Sequence, residues 1–310
     1  MLLMGLAAGP HEQRGTGHGD NVRSGMSRGE RAERMVAVAS YVHGYSEHEA
    51  LRLGDQADIL AELLHADTAY PAGSRVLEVG CAVGAQTVHL VAGSPAAHIV
   101  AVDLSSDSLA QARARVAAQA PEATVKWHRA DLFNLPFADA AFDHLFVCFV
   151  LEHLPDPTRA LAGFRRVLRP GGTITVIEGD HGSAFFHPDS AHARAAIDCL
   201  VRLQSAAGGN ALLGRQLQPL LANAGYRDVA VGPRTVYADQ TRPAFVSGFT
   251  RNTFTAMVEA VRHDALAAGL ISQARWDQGI ADLRRTADDG GTFHYAFFKA
   301  LAVNPARPSP

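Results

Sequence analysis

The residues best placed to do chemistry lie in one stretch, Val76-Leu77-Glu78-Val79-Gly80-Cys81-Ala82-Val83-Gly84-Ala85-Gln86-Thr87. An apolar run leads into a turn with two glycines, and a helical pattern begins near Gln86. Glycine lets a backbone adopt positive φ and come close to a ligand. A dinucleotide site wants three glycines and a phosphate at the helix N-terminus. Here the order is Glu-x-Gly-x-Ala-x-Gly, and the acid Glu78 precedes the first glycine. A carboxylate at that point suits a cationic or zwitterionic ligand better than a pyrophosphate.

Further along, single acids follow short apolar runs. They are Asp103 in Val102-Asp103-Leu104-Ser105 and Asp131 in Ala130-Asp131-Leu132. Glu178-Gly179-Asp180-His181 closes another apolar run and is followed by Phe185 and Phe186. An adjacent Asp and His form a base when the carboxylate raises imidazole basicity. Adjacent strand residues point apart, so both face one site only where the strand has ended by Gly179. Upstream, Tyr41-Val42-His43-Gly44-Tyr45-Ser46 alternates aromatic and small residues ahead of a capping-box pattern, Ser46 to Glu49. Tyr41, His43 and Tyr45 are expected to line one wall of a site. Tyr41, Asp180 and His181 are expected to meet as the proton-removing group.

The elements that must position these residues alternate. Strands are expected over 75–79, 99–103, 124–130, 142–149, 173–178, 228–237 and 292–303. Helices are expected from about 86, over 108–120, 158–168, 192–206 and 214–224, and through 241–287, with helical signals over 27–67. Strands separated by helices of this length imply right-handed parallel crossovers. The expected fold is α/β, a doubly wound, Rossmann-like, mostly parallel seven-stranded sheet with an N-terminal helical lid and helical insertions. The expected division is a disordered extension over 1–28, a lid over 29–72, a ligand-binding core over 73–182, the rest of the sheet with acceptor-binding insertions (183–213 and 241–287) up to 303, and a loose tail over 304–310. Gln56 shares a helical face with Leu53 and Leu60 and is expected to point inward, towards lid or ligand.

Taken in order, these motifs resemble the class I S-adenosylmethionine-dependent methyltransferases, over roughly 74–180 and more weakly to 303. The resemblance implies that Glu78, Gly80, Gly84 and Gln86 belong to the cofactor loop. It implies that Asp103 binds the ribose hydroxyls, with Leu104 beside it. Asp131 would receive the adenine amino group while the Leu132 backbone approaches the ring. Phe149-Val150-Leu151-Glu152-His153-Leu154 resembles the end of the fourth strand, where Phe149 would border the methionine part; His153 joins His43, Tyr45, Phe185 and Phe186 on the acceptor side. Leu168-Arg169-Pro170-Gly171-Gly172 resembles the turn before the fifth strand. The implied cofactor is S-adenosylmethionine, leaving as S-adenosylhomocysteine. One departure is Ala82, which stands where the family has its middle glycine. Among such enzymes the chain is most similar to actinobacterial natural-product methyltransferases acting on C3 of tryptophan-derived indoles. O- or N-methylation of another small aromatic, a nicotinamide-dependent oxidoreductase and a noncatalytic binder of the same fold remain alternatives.

Composition narrows the partners. The formal net charge is -3, from 28 basic and 31 acidic residues, which argues against nucleic acid. The 3 cysteines form no CxxC pair, so neither disulfides nor zinc are indicated, and a cytoplasmic setting is expected. None of the 15 histidines forms His-x-x-x-His on an expected helix with a nearby acid, so no metal is expected. No apolar run is long enough to span a bilayer. The expected partner is a small-molecule acceptor, with a homodimer as an open option.

Overall fold

The computed structural model describes residues 47–306. Tyr41, His43, Tyr45, Ser46 and the extension over 1–28 lie outside the described residues.

Seven strands form one sheet in the order β3-β2-β1-β4-β5-β7-β6. They are β1 Arg75–Val79, β2 His98–Asp103, β3 Val125–Arg129, β4 Phe142–Cys148, β5 Leu168–His187, β6 Arg227–Ala238 and β7 Thr292–Val303. β1 to β5 pair in parallel, while β7 runs antiparallel to both β5 and β6. The direction of winding reverses between β1 and β4. That reversal opens a crevice at the carboxyl ends of the strands, where ligands of such sheets bind.

Strict alternation in β1 shows how the sequence builds two faces. Leu77 and Val79 pack beneath the sheet with Leu145, Val147, Ile174 and Val176. Two helices cover that face, α4 (Pro157–Val167) and α6 (Leu217–Asn223), through Phe164 and Leu217. Val76 points the other way, towards Leu60 and Leu64 of α1 (Glu47–His65) and Leu90 of α2 (Ala85–Gly93). On this second face lie also α3 (Ser106–Gln119) and α5 (Ala191–Ala206). The segment after β6 completes it: a π-helical stretch Phe245–Thr255, then α7 (Ala256–Ala260), α8 (Arg262–Ala267) and α9 (Gln273–Arg285). Phe249, Phe254 and Trp276, at most 1% exposed, are core residues of this layer. Among the described residues, no helix is long and apolar enough to cross a membrane.

One expectation needs correction. The fifth strand does not stop at Glu178 but continues to His187, pairing with β7 as far as His187↔Thr292 beyond an irregularity between Asp180 and Phe185. The first insertion therefore begins after 187, not at 183. β7 supplies the reason: its own run of β-branched and aromatic residues offers a partner beyond the point where the parallel neighbour ends.

α1 is tied to the sheet by a buried cation. Lys299 Nζ on β7 donates to the Leu64 carbonyl (3.0 Å) and Thr68 Oγ1 (2.6 Å), and pairs with Asp67. A cation at a helix C-terminus satisfies open carbonyls and opposes the helix dipole.

Candidate functional site

The glycine turn is anchored to the neighbouring strand. Gly80 N and Cys81 N both donate to the Val102 carbonyl, at 2.8 and 3.0 Å. Gly80 and Gly84 each have φ of 74°. A Cβ on Gly80 would stand 2.6 Å from Val150, and one on Gly84 would stand 2.9 Å from the Ala112 backbone. Ala82 also has positive φ, 44°, so this turn keeps a left-handed residue where the family has glycine. Asp103 closes β2 and holds the turn: Oδ2 accepts from Ala82 N (2.9 Å) and Oδ1 from Ser105 N (2.8 Å). Burial pushes its carboxyl up, while these amides pull it back. Each oxygen keeps a lone pair for a hydroxyl. Leu104, 49% exposed, presents an apolar surface directly after it.

The Ala130 amide donates to the Asp103 carbonyl at 3.0 Å, which sets Asp131 beside this acid. Asp131 Oδ1 caps the turn Leu132–Asn134 by accepting from Phe133 N at 2.9 Å, and the carboxylate stays exposed next to half-buried Leu132. Phe149 follows β4 with φ of 57°, a costly state for a bulky residue and one that clusters at functional sites. Its ring lies 5.3 Å from that of Phe297.

Glu78 takes a different place from the other acids. It is 2% exposed and accepts from Thr87 Oγ1 at 2.7 Å, joining β1 to α2 beneath the turn. Burial pushes its carboxyl up to about 7. Gln86 is engaged elsewhere than expected: its carboxamide oxygen lies 2.7 Å from His65 Nε2, tying α2 to α1. Gln56 accepts from Arg52 Nη1 at 2.9 Å within α1. A helical reading sees the face on which these amides sit, but not the partner that takes each one.

These residues fit S-adenosylmethionine. The paired amides set a carboxylate to take two vicinal hydroxyls, an exposed leucine flanks it, a second acid follows on the next strand, and a turn without side chains at Gly80 and Gly84 leaves backbone for the ligand's amino-acid end. The buried acid beneath the turn disfavours a phosphate there.

At the ends of β4 and β5, Asp180 and His181 of the expected proton-removing group do not meet, and Tyr41, its third member, lies outside the described residues. Asp180 faces away from His181. Its two oxygens form a paired contact with Arg215, Nε to Oδ2 at 2.7 Å and Nη2 to Oδ1 at 2.8 Å. The strand persists through Gly179, so the neighbours diverge, as strand residues do. His181 is 5% exposed, and its Nδ1 lies 2.7 Å from Tyr295 Oη. Burial, with His153 and Arg52 nearby, pushes its imidazole down to about 3. Phe185 and Phe186 do not make a common wall either. Phe185 is 55% exposed and stacked on His294, whereas Phe186 is buried against Phe293. The continued strand explains this too, since its period of two separates them.

A second polar group comes together here, from Glu178, Glu152 and His153, which the sequence placed in two separate motifs. Glu178 Oε1 accepts from Val150 N (3.1 Å) and Leu151 N (2.8 Å), while its Oε2 is buried and makes no hydrogen bond among the described residues. The same holds for Oε2 of Glu152, in the turn Leu151–His153. Its carbonyl accepts from Gln204 Nε2 (3.2 Å) and Asn210 N (2.7 Å). Burial pushes the Glu152 carboxyl up to about 7 and holds Glu178 well above the usual carboxylate range, where repulsion from Glu152 adds to the effect. His153 Nε2 lies 3.6 Å from Glu152 Oε1, and burial pushes its imidazole down to about 4. Among the described residues no group of three or more His, Cys, Asp or Glu is placed to hold a metal, and Cys81, Cys148 and Cys199 are free and buried.

Comparison with known proteins agrees with the fold. Residues 77–176 match the family described as a methyltransferase domain. Methyltransferase GfsG of Streptomyces halstedii is 32% identical over 126 residues, covering 41% of this chain and 45% of that protein. O-methyltransferase cnsE of Penicillium expansum is 31% identical over 151 residues, covering 46% of this chain and 54% of that protein. The chain spans about half the length of the curated relatives it matches. Among solved structures, phosphoethanolamine N-methyltransferase 2 of Haemonchus contortus with S-adenosyl-L-methionine superposes with a TM-score of 0.53 at 17% identity, over 88% of this chain and 61% of that one.

Proposed function

We propose that this chain, which carries a class I S-adenosylmethionine-dependent methyltransferase domain, transfers a methyl group to a small-molecule acceptor, at C3 of a tryptophan-derived indole. The observation that carries the transferase reading is the Asp103 carboxylate, held by the Ala82 and Ser105 amides at the mouth of the β1–β4 crevice. Bound there, S-adenosylmethionine supplies a methyl carbon activated by its sulfonium and departs as S-adenosylhomocysteine. Asp103 takes the ribose hydroxyls, Asp131 the adenine amino group, and Leu104 and Leu132 flank the ring. Phe149 borders the methionine part.

Support for an aromatic acceptor comes from Phe149, a half-buried ring that follows β4 and lies 5.3 Å from the buried Phe297. Behind it Phe249, Phe254, Tyr295 and Phe297 pack on one another as core, with centroids 4.7 to 6.5 Å apart, so an aromatic acceptor stacks against Phe149 at the edge of this cluster rather than entering it. When an indole C3 forms the new bond, the resulting cation must lose one proton, from the ring nitrogen or from a pendant amide nitrogen that closes on C2 to give a pyrroloindoline. In this proposal the Glu152 carboxyl receives it, since burial brings that group near neutrality and its Oε2 makes no hydrogen bond among the described residues. A second reading, O-methylation, is favoured by the name of the Penicillium relative.

The test is transfer from methyl-labelled S-adenosylmethionine to a tryptophan diketopiperazine, a tryptamine carbamate and a simple phenol, with products assigned by carbon NMR. A methyl on a saturated indole C3 supports the proposal. A methyl ether supports O-methylation, and transfer to none of the three overturns the acceptor assignment.

A further inference from the structure

We infer that Tyr295 locks His181 into the tautomer with its proton on Nε2, so that His181 offers the acceptor a fixed N–H donor and selects molecules carrying an oxygen, such as an amide or carbamate carbonyl, beside the methylated ring. This rests on the transferase reading above and assigns His181 a role different from that of a base.

The argument starts from the phenol. Tyr295 is 1% exposed, and burial, with Glu152, Asp180 and Glu178 nearby, holds its hydroxyl well above the usual range. It therefore has one proton to give. Gly179 makes room for this hydroxyl, because a Cβ there would stand 2.5 Å from Tyr295 Oη. A buried hydroxyl needs an acceptor for its proton, and the partner that the described residues give Oη is His181 Nδ1 at 2.7 Å. Nδ1 is then an acceptor, and a neutral imidazole has its proton on the other nitrogen.

Nε2 makes no hydrogen bond among the described residues and is not one of the polar atoms sealed from solvent without a partner. It keeps solvent access, so its N–H is available to an oxygen of an entering ligand. The surroundings favour the same class. Arg52 and His153 both act on this ring in the sense that penalises added positive charge. The edge of the ring rests against Phe254, at 6.2 Å between centroids and an interplanar angle of 83°, which prevents it from turning freely. The bound oxygen is thus fixed next to the aromatic wall. Tyr295 is a positioning residue here, because its hydroxyl bonds to His181 and its ring is packed in the core, away from the acceptor.

Two measurements on the full chain decide this. In the first, nitrogen NMR of the histidine-labelled protein at neutral pH should show His181 neutral, protonated at Nε2 and bare at Nδ1. In Tyr295→Phe that bias should be lost, giving a mixed or Nδ1–H ring. An Nδ1–H tautomer or an imidazolium in the unsubstituted protein overturns the inference, and no acceptor is needed to see it. The second uses a tryptophan diketopiperazine as the probe. His181→Gln keeps an N–H donor that cannot act as a base, and should stay within about tenfold of the parent kcat, while His181→Leu should raise KM by about tenfold or more. A loss of kcat in His181→Gln as large as that in His181→Leu would overturn it in favour of a base. The expected tautomer without any indole methylation would instead remove the acceptor proposal alone.

Discussion

Replacing Asp103 by Asn changes one atom and removes one charge at the point where the proposed cofactor is held. In the parent chain both carboxylate oxygens accept from backbone, Ser105 N at 2.8 Å and Ala82 N at 2.9 Å. An amide must set its NH2 against one of those N–H groups, so one ligand hydroxyl loses its acceptor and the other loses a charged one. A hydrogen bond to a charged group is worth about 1.5–3 kcal/mol. The summed loss is about 2–4 kcal/mol, or roughly 30- to 1000-fold in affinity. Folding should suffer much less. Burial already disfavours the ionised Asp103, so removing the charge offsets much of the lost turn contact, and the change without ligand should stay under about 1 kcal/mol. The assay is calorimetric titration with S-adenosylhomocysteine, paired with urea unfolding of the unliganded chain. Affinity within about threefold of the parent, in a normally stable variant, would refute the assignment of Asp103 as the ribose acceptor.

Three other outcomes follow from the same structure. Asp180→Ala leaves the Arg215 fork unpaired; because Arg215 is half exposed, the cost should be about 1–3 kcal/mol in urea unfolding, with S-adenosylhomocysteine affinity retained. Gly84→Ala combines a left-handed backbone with a Cβ 2.9 Å from the Ala112 backbone, so both melting temperature and cofactor affinity should fall, by about 2 kcal/mol or more in stability. The pH dependence should show two opposed slopes. His65, His153 and His181 are pushed down to about 4, 4 and 3, so the stability of their neutral forms is complete above about 6.5 and is lost as pH falls through those values. Glu78 and Glu152 are pushed up to about 7, so the folded state gains from them below about 4.5 and loses that gain as pH rises to 7. The slopes oppose one another between about 4.5 and 6.5. Glu152→Gln should therefore steepen the rise in stability across that window, read from unfolding midpoints against pH; an unchanged profile would show that Glu152 does not take up a proton on folding.

The fold was legible because its first four strands are short and separated by helices or turns with their own signals. β1 and β7 were bounded correctly from hydrophobicity alone, at 75–79 and 292–303. β5 was not, since its extension to His187 depends on antiparallel pairing with β7, which local composition does not record. That one long-range pairing also decides the acceptor end. It keeps Asp180 and His181 on opposite sides, separates Phe185 from Phe186, and brings Tyr295, more than a hundred positions away, onto His181. The only local hint of Tyr295 is its alternation with Phe293 and Phe297. Glu152 was visible as part of a motif, but its burial and its coupling to Glu178 arise from the way β4 and β5 end side by side. Asp103 and Asp131, by contrast, sit where a strand stops and a turn starts, and sequence order alone places such residues.

The central claim is that the turn after β1 and the acid ending β2 hold a sulfonium nucleoside. Calorimetry of the purified full chain, with S-adenosylmethionine and NADH titrated separately, tests it most directly. Saturable binding of S-adenosylmethionine below about millimolar concentration, with no heat from NADH, is the expected result. Folded protein that binds NADH, or that takes up no S-adenosylmethionine at such concentrations, would contradict it.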